Sequence, residues 1–485
     1  MNLRKITISV SLSLCTIALT AQQQILSLEN CRSLALQENK KILIAQQQVT
    51  VEHHNRKAAF TDYLPKISMQ GIYLHNQKNI SLLDNRKKEI INNIGSLIQQ
   101  QGAEVLKPLA TSFPELSNLL NTIASSNIVE PLNTLGHSLT DALTLETRNI
   151  YIAALTLKQP IFMGGKITAY NKITQYSEEI AHAGNDIAHR ETLLAVDQAY
   201  WLVISLVNKQ RLANALVTFV TQLRDDVEKM KKEGMATESE LLNVNVRLNE
   251  VQMALLEVDN GVTLARMQLC MLCGLPMESN PTLADETLST VPLPPLPTIE
   301  GDINNRPELR SLESAIEIRK QITNMARAEL MPQLSLAANY IASSPNLTNG
   351  FSKKMRGMWN IGLQLNIPIW NWGEDIHKVK AAKAETVIAR YTLEDARQKI
   401  ELQARQARQK MNEAYKRLTL ATNSIREAEE NLRSAKLSFG EGIATSENVL
   451  EAQTGWLKAH SAQIDAHIDA IMAHTYLQWA LGTLK

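Results

Sequence analysis

The chain repeats itself at a fixed distance. Leu155-Thr156-Leu157-Lys158-Gln159-Pro160-Ile161-Phe162 returns 208 residues later as Leu363-Gln364-Leu365-Asn366-Ile367-Pro368-Ile369-Trp370. The same offset carries Lys232-Glu233-Gly234-Met235-Ala236-Thr237 onto Gly440-Glu441-Gly442-Ile443-Ala444-Thr445, and Gly274 onto Gly482. Insertions in loops would have made the offset drift, so its constancy implies two structurally equivalent halves. A length of 485 residues ordinarily suits two or three domains. Duplication predicts instead one elongated body made of two similar halves.

Most of the chain has the composition of long helices. Lys166 to Glu233 and Glu374 to Phe439 contain no Pro and almost no Gly, and Ala, Leu, Glu, Gln, Lys and Arg dominate. Each run approaches 70 residues, or about 100 Å of helix at 1.5 Å per residue. Ile400, Leu402, Ala404, Ala407, Met411, Ala414, Leu418 and Ala421 thread a narrow apolar stripe through dense mixed charge, a pattern suited to coiled-coil packing. Each run ends at a Gly followed by an Ala-Thr pair. Gly stops a helix, Thr caps the next one, and the acidic residues after it suit the helix dipole. Tight helical hairpins are therefore expected at about 233–238 and 440–446.

A Pro-rich stretch, 276–304, separates a first repeat at 22–275 from a second at 305–485, which restarts at Asn305-Arg306-Pro307-Glu308-Leu309 with Pro early in a helix. Four segments change period from helical to two. Ile361, Leu363, Leu365 and Ile367 alternate with Asn360, Gly362, Gln364 and Asn366, the signature of a strand with one apolar and one polar face. Strands are expected at about 64–76, 148–160, 332–344 and 357–369. The first and third follow a different offset, 267, since Leu64-Pro65-Lys66-Ile67 matches Met331-Pro332-Gln333-Leu334 and Tyr73 lands on Tyr340. The difference between the two offsets leaves 59 extra residues within an insertion at about 77–147. In it Ile90–Gln101 and Leu116–Ala124 are weakly helical. The fold class expected is mainly α with a small β part, a helix-strand-strand-helix-helix unit used twice.

The N-terminus orders basic Arg4 and Lys5, an apolar run Ile6–Leu19 and small residues to Ala21. That is a secretory signal, 1–21, and the run is too short to span a bilayer. Leu14 before Cys15 argues against lipidation. Net charge is +1, and 50 basic residues against 49 acidic become 48 against 49 without the leader, so no basic patch argues for nucleic acid. Cys31, Cys270 and Cys273 then remain. A lone Cys-x-x-Cys is a weak metal or redox signal, and the repeat places Gln478 and Leu481 at its equivalent positions, so neither metal nor cofactor is expected. His53 and His54 are adjacent on a helix and point apart. The sequence holds no His-Glu-x-x-His, Gly-x-Ser-x-Gly or Gly-x-x-x-x-Gly-Lys, so an enzyme is not expected.

Two outcomes fit the strands taken alone: transmembrane β-strands or a half-buried soluble sheet in a secreted coiled-coil scaffold. Tyr73, Tyr151, Tyr340 and Trp359 lie on the apolar faces toward the strand ends away from the helices, where an interfacial girdle belongs. Four strands cannot close a barrel, and lipid does not tolerate open edges. Several chains must then pool their strands.

The paired exits Pro160-Ile161-Phe162…Gly165 and Pro368-Ile369-Trp370…Gly373, the Gly-x-Ala-Thr turns, Leu64-Pro65 and the Asn305–Leu309 restart together resemble the TolC-type outer membrane efflux proteins, over nearly the whole mature chain. The resemblance implies a homotrimer, with a 12-stranded β-barrel in the outer membrane continued by a long α-helical coiled-coil barrel across the periplasm. It implies a passive exit duct for a tripartite efflux pump or a type I secretion system, partnered by a periplasmic adaptor protein and an inner-membrane transporter. By the same resemblance Gly234, Ala236, Thr237 and Leu241, with Gly442, Ala444, Thr445 and Leu450, form adaptor-facing tip turns, and Glu451, Asn448 and Glu447 lie at the pore gate. Where some members carry two acidic residues, this chain has Asn448 and Glu451. Three copies of Glu451 around an axis would favour cations; an ordinary solvated helix-start Glu fits the position equally. The insertion departs from the compact loops of the family, and either a cap over the mouth or a surface for a partner is compatible with it.

Overall fold

A computed structural model describes residues 25–101, 129–145, 147–288, 291–292, 303–346 and 354–484. The expected signal segment, the helix expected at Leu116–Ala124 and linker residues 289–290 and 293–302 lie outside them. The described chain is mainly helical, with a four-stranded sheet and a two-stranded one. Its elements are α1(Leu28–Glu38), α2(Lys40–Phe60), β1(Lys66–His75), β2(Ile80–Ser81), α3(Asn85–Asn92), α4(Ile94–Gln101), α5(Val129–Ala142), β3(Thr144–Leu145), β4(Asn149–Met163), α6(Lys166–Lys232), α7(Glu238–Cys273), α8(Pro307–Ala328), β5(Gln333–Ser344), β6(Arg356–Asn366), α9(Glu374–Gly440) and α10(Ser446–Ala480). They divide into two compact units, one of Met1–Arg56, Lys172–Gln321 and Ala382–Lys485, the other of Lys57–Asn171 and Ile322–Ala381.

The first unit is all helical packing. Its largest cluster joins Cys31 and Ala35 of α1, Val196, Tyr200, Val203 and Ile204 of α6, Val262 and Leu269 of α7 and Ile464 and Ile468 of α10. Arg32 donates from two nitrogens to the fully buried Asp197 (2.8 and 2.5 Å), and the Tyr200 hydroxyl donates to Asp285 (2.7 Å). Burial is the larger influence on Asp197 and pushes its carboxyl up, while Arg32 opposes it. On α9, Ile400, Ala404, Ala407, Met411, Ala414 and Leu418 are buried at steps of four and three, a heptad seam. Leu402 is 56% exposed. It is out of phase with that seam and does not belong to the stripe.

The Asn305–Leu309 restart has a concrete role. Arg306 is buried, donates to Glu308, to Gln403 (3.0 Å) and to the Ala480 carbonyl (3.1 Å), and stacks 4.8 Å from the centre of the Trp479 ring. It thereby satisfies a carbonyl that the C-terminus of α10 leaves without a helical partner. The three cysteines are free and buried, and burial pushes the Cys270 thiol above its usual range. They behave as small core residues.

The second unit holds the sheet, in the order β1-β4-β5-β6 with antiparallel pairing throughout. The insertion hangs from the β1–β4 hairpin, whose last link is Asn76 N–H to the Arg148 carbonyl (2.7 Å). Here α5, which periodicity missed because Pro131 and Gly136 interrupt it, packs on α3. A Cβ at Gly136 would overlap the Ile91 carbonyl, so the glycine permits close helix contact.

Candidate membrane sheet and helical tip

Register divides the sheet into two faces. Rows such as Met69–Leu155–Tyr340–Trp359 and Ile67–Leu157–Ala338–Ile361 run across all four strands on one face. That face is open: Met69 and Trp359 are each 75% exposed and Leu363 66%. A contiguous apolar surface of this kind requires a cover, either lipid or protein. Both outer strands, β1 and β6, are exposed along their whole length, with unpaired edges.

The four aromatic residues fall in two rows rather than one. Tyr73 pairs with Tyr151 (ring centres 5.0 Å apart), while Tyr340 pairs with Trp359 at the level of Leu155, four residues along β4. The Tyr340 ring lies over Gly357, where a Cβ would overlap its hydroxyl; the glycine is thus shielded by an aromatic neighbour. A tilted strand set staggers a level band of aromatics in this way. Sequence reasoning missed a second aromatic set. Ile369 (90% exposed), Trp370 (71%) and Trp372 (88%) follow β6, the two indoles in edge contact at 5.8 Å. Trp372 and Gly373 both have left-handed φ (52° and 81°) and turn the chain into α9. On β4 the matching exit has a bulge between Pro160 and Phe162, where a residue without an N–H is tolerated. Two tryptophans just after Pro368 were the available signal.

The opposite face is polar only in part. Ser68, Lys66, Thr156, Lys158, Ser335, Gln364 and Asn366 occupy the end nearer the helix exits. Ile72, Leu74, Ile150, Ile152, Ile341 and Met358 occupy the other end of the same face, which corrects the expectation of a uniformly polar surface.

The tip turns are built by caps. Gly234 (φ 78°) and Gly442 (φ 72°) end α6 and α9 in left-handed conformations. Thr237 accepts from the Glu240 N–H (3.2 Å) while Glu240 accepts from the Thr237 N–H (2.7 Å), and Thr445 and Asn448 form the same reciprocal pair (3.4 and 3.0 Å). Asn448 Oδ1 also accepts from the Thr445 hydroxyl (2.8 Å), so this side chain takes part in the cap. Glu447 and Glu451 are exposed one turn apart on α10. Ala236, Leu241 and Leu450, expected to face outward, are half-buried against the tip cluster of Leu216, Val220, Leu223, Val227, Val244 and Leu248. The outward apolar residues are Met235 (63% exposed) and Ile443 (82%), the variable position of each Gly-x-Ala-Thr turn. Removing both caps, Thr237→Ala with Thr445→Ala, is expected to cost about 1 kcal/mol per turn and to speed amide exchange over 234–241 and 442–450. Exchange in β4 and β5 should not change; unaltered tip exchange would contradict the capping role.

Residues 299–483 match the family model described as "Outer membrane efflux protein". The alkaline protease secretion protein AprF of Pseudomonas aeruginosa is 23% identical over 347 residues, 69% of this chain and 70% of the relative. The probable efflux pump outer membrane protein TtgC of Pseudomonas putida is 26% identical over 322 residues, and the match spans 63% of that relative's length and 60% of this chain. Among solved structures, the Campylobacter jejuni CmeC outer membrane channel superposes with a TM-score of 0.70 at 17% identity, covering 94% of this chain and 85% of that one. The VceC outer membrane protein of Vibrio cholerae gives 0.67 at 15% identity, covering 94% and 96%. The second part of the chain thus matches the outer membrane efflux protein family, and the chain as a whole has the fold of the solved outer membrane channels.

Proposed function

We propose that the protein is the passive exit duct of a tripartite efflux pump or a type I secretion system, seated in the outer membrane and reaching into the periplasm. The observation that carries this is the four-stranded sheet with an open apolar face and two unpaired edges. From Trp359 on β6 to Ile367 just past its end the apolar face spans eight residue steps, about 26 Å at 3.3 Å per residue, close to the ~25 Å apolar band of an outer-membrane barrel. Lipid forbids unpaired edges, so β1 of one copy pairs with β6 of the next. Three copies make a closed barrel of twelve strands, continued by twelve helices as a coiled-coil barrel. Each chain then contributes two equivalent helix-strand-strand-helix-helix units, in keeping with the fixed sequence offset.

In this assembly the tip turns meet a periplasmic adaptor through Met235 and Ile443 as well as the turn glycines, and an inner-membrane transporter supplies the energy. The outer aromatic rows, with Tyr73, Tyr151, Tyr340 and Trp359, lie at one membrane interface, and Trp370 and Trp372 at the other. Glu451, with Glu447 a turn before it, rings the narrow point. Substrate passes through water, and control lies in the shift of tip helices rather than in chemistry. The test is recovery of a heat-resistant oligomer from outer membranes and its single-channel conductance in planar bilayers. Glu451→Gln beside the wild type is expected to lower cation preference through the tip at least about twofold, since a charge ring at a constriction sets selectivity. A soluble, non-conducting product would leave the secreted scaffold as the better account.

A further inference from the structure

The four main strands contain no Asp or Glu and three permanent charges, Lys66, Lys158 and Arg356. All three fall on the face opposite the aromatic rows. Lys66 lies directly across from Lys158, Lys158 from Ala337, and Arg356 from Ser343, which are same-face positions in the sheet register. Like charges directly opposite one another work against strand pairing. Asp62 takes up Lys66 (2.6 Å), whereas Lys158 and Arg356 are exposed and have no ion pair among the described residues. Around the lysine pair is a cleft of about 400 Å³, lined also by Asp62, the hydroxyl of Ser335 and the amides of Gln333, Gln364 and Asn366. The hydroxyl and amides donate hydrogen bonds to oxyanions beside the ammonium groups, and the Asp62 carboxylate is taken up by Lys66.

We infer that this face makes the barrel lumen an anion-selective filter, with a binding site for polyvalent oxyanions at Lys66 and Lys158. The inference rests on the barrel reading above, which turns this face inward. Counting Asp62 against the three cations leaves two net positive charges per chain, hence six around three chains. A low-dielectric wall focuses such a field into the lumen, and rings of Lys or Arg select anions in pores. Cargo bearing several carboxylates or phosphates is favoured over polycations at this level, in series with the acidic ring at the tip. The duct therefore sorts charge twice, with opposite signs.

The test uses the full-length oligomer in planar bilayers at 0.1 M KCl, in a Glu447→Gln/Glu451→Gln background that removes the tip ring, with inorganic tripolyphosphate added on the barrel side. Block is expected, and K66Q/K158Q/R356Q is expected to raise the apparent Kd at least about tenfold and to move the reversal potential in a salt gradient toward cations, because the charge ring is gone. Raising KCl to 1 M should weaken the block in the parent protein, since the Debye length shrinks to about 3 Å. The inference fails if the parent conducts but tripolyphosphate does not block it, or if the triple variant matches it in both block and reversal potential. Should the triple variant not assemble, K158Q alone decides by the same readouts, its side chain being exposed and without an ion pair among the described residues. A wild-type protein that neither reaches the outer membrane nor conducts overturns the duct reading itself, and this inference with it.

Discussion

Leu363→Arg is expected to abolish recovery of a heat-resistant oligomer from the outer membrane, whereas Gln364→Arg, one residue further on, is expected to leave it. The two positions are consecutive on β6, and alternation puts them on opposite faces. Leu363 lies between Trp359 and Ile367, near the middle of the open apolar face. An arginine at the midplane of an outer-membrane barrel costs about 2–4 kcal/mol per site, and the proposed three-chain assembly carries three. A total of roughly 6–12 kcal/mol is comparable with the whole stability of a folded domain. Fractionation followed by gels of unheated samples gives the answer. Wild-type amounts of oligomer from Leu363→Arg would mean that this face does not meet lipid.

The second large effect belongs to the helical unit. Arg32→Ala leaves Asp197 fully buried with no cation, and stripping one partner from a buried pair costs about 3–5 kcal/mol. A double replacement, Arg32→Met with Asp197→Leu, should recover most of that loss, because no charge is left without a partner. The pH dependence has a definite sign. Burial already pushes the Asp197 carboxyl above its usual 3.8, and Arg32 is the group holding it back. Without Arg32 the folded-state pKa rises further. A carboxyl whose pKa is raised by folding contributes stability below its unfolded pKa and loses it as pH climbs through the folded value. The deficit of Arg32→Ala should thus be smallest in acid and complete at neutral pH, as thermal melts across pH would record. A deficit that does not vary with pH would show that Asp197 is not the group left stranded.

What could be read from the residues was whatever a local period or a local cap determines. Ile361, Leu363 and Leu365 alternate, and the strand β6 contains them. The helices α6 and α9 lie within the two runs free of Pro, and Gly234 and Gly442 stop them because a left-handed residue there costs glycine little. What escaped depends on phase and register, which no local pattern specifies. Leu402 is apolar yet lies outside the α9 seam, because apolar character alone does not fix the rotation of a long helix. Tyr340 and Trp359 lie four residues along β4 from the Tyr73–Tyr151 pair, a stagger between strands that is a property of the assembled sheet. Ala236, Leu241 and Leu450 were expected outward because a turn looks exposed in sequence. The hairpin instead folds them onto Val220 and Val244 and leaves Met235 and Ile443 to project. The capping bond of Asn448 with Thr445 is likewise a matter of local geometry that residue type alone does not specify.

The insertion between β1 and β4 begins and ends at a single backbone hydrogen bond, Asn76 to Arg148, at the foot of a hairpin whose register is already set by ten paired residues on each strand. Its entry and exit are therefore at hairpin-turn distance whatever lies between them. Closing a longer loop across a fixed gap adds little entropy cost, which grows only with the logarithm of length. The site behaves as a socket: the sheet below does not register what is plugged in, so the inserted segment can be shortened, exchanged or used to display a foreign peptide without redesign of the strands. Selection acting on that surface can proceed separately from selection acting on the conduit.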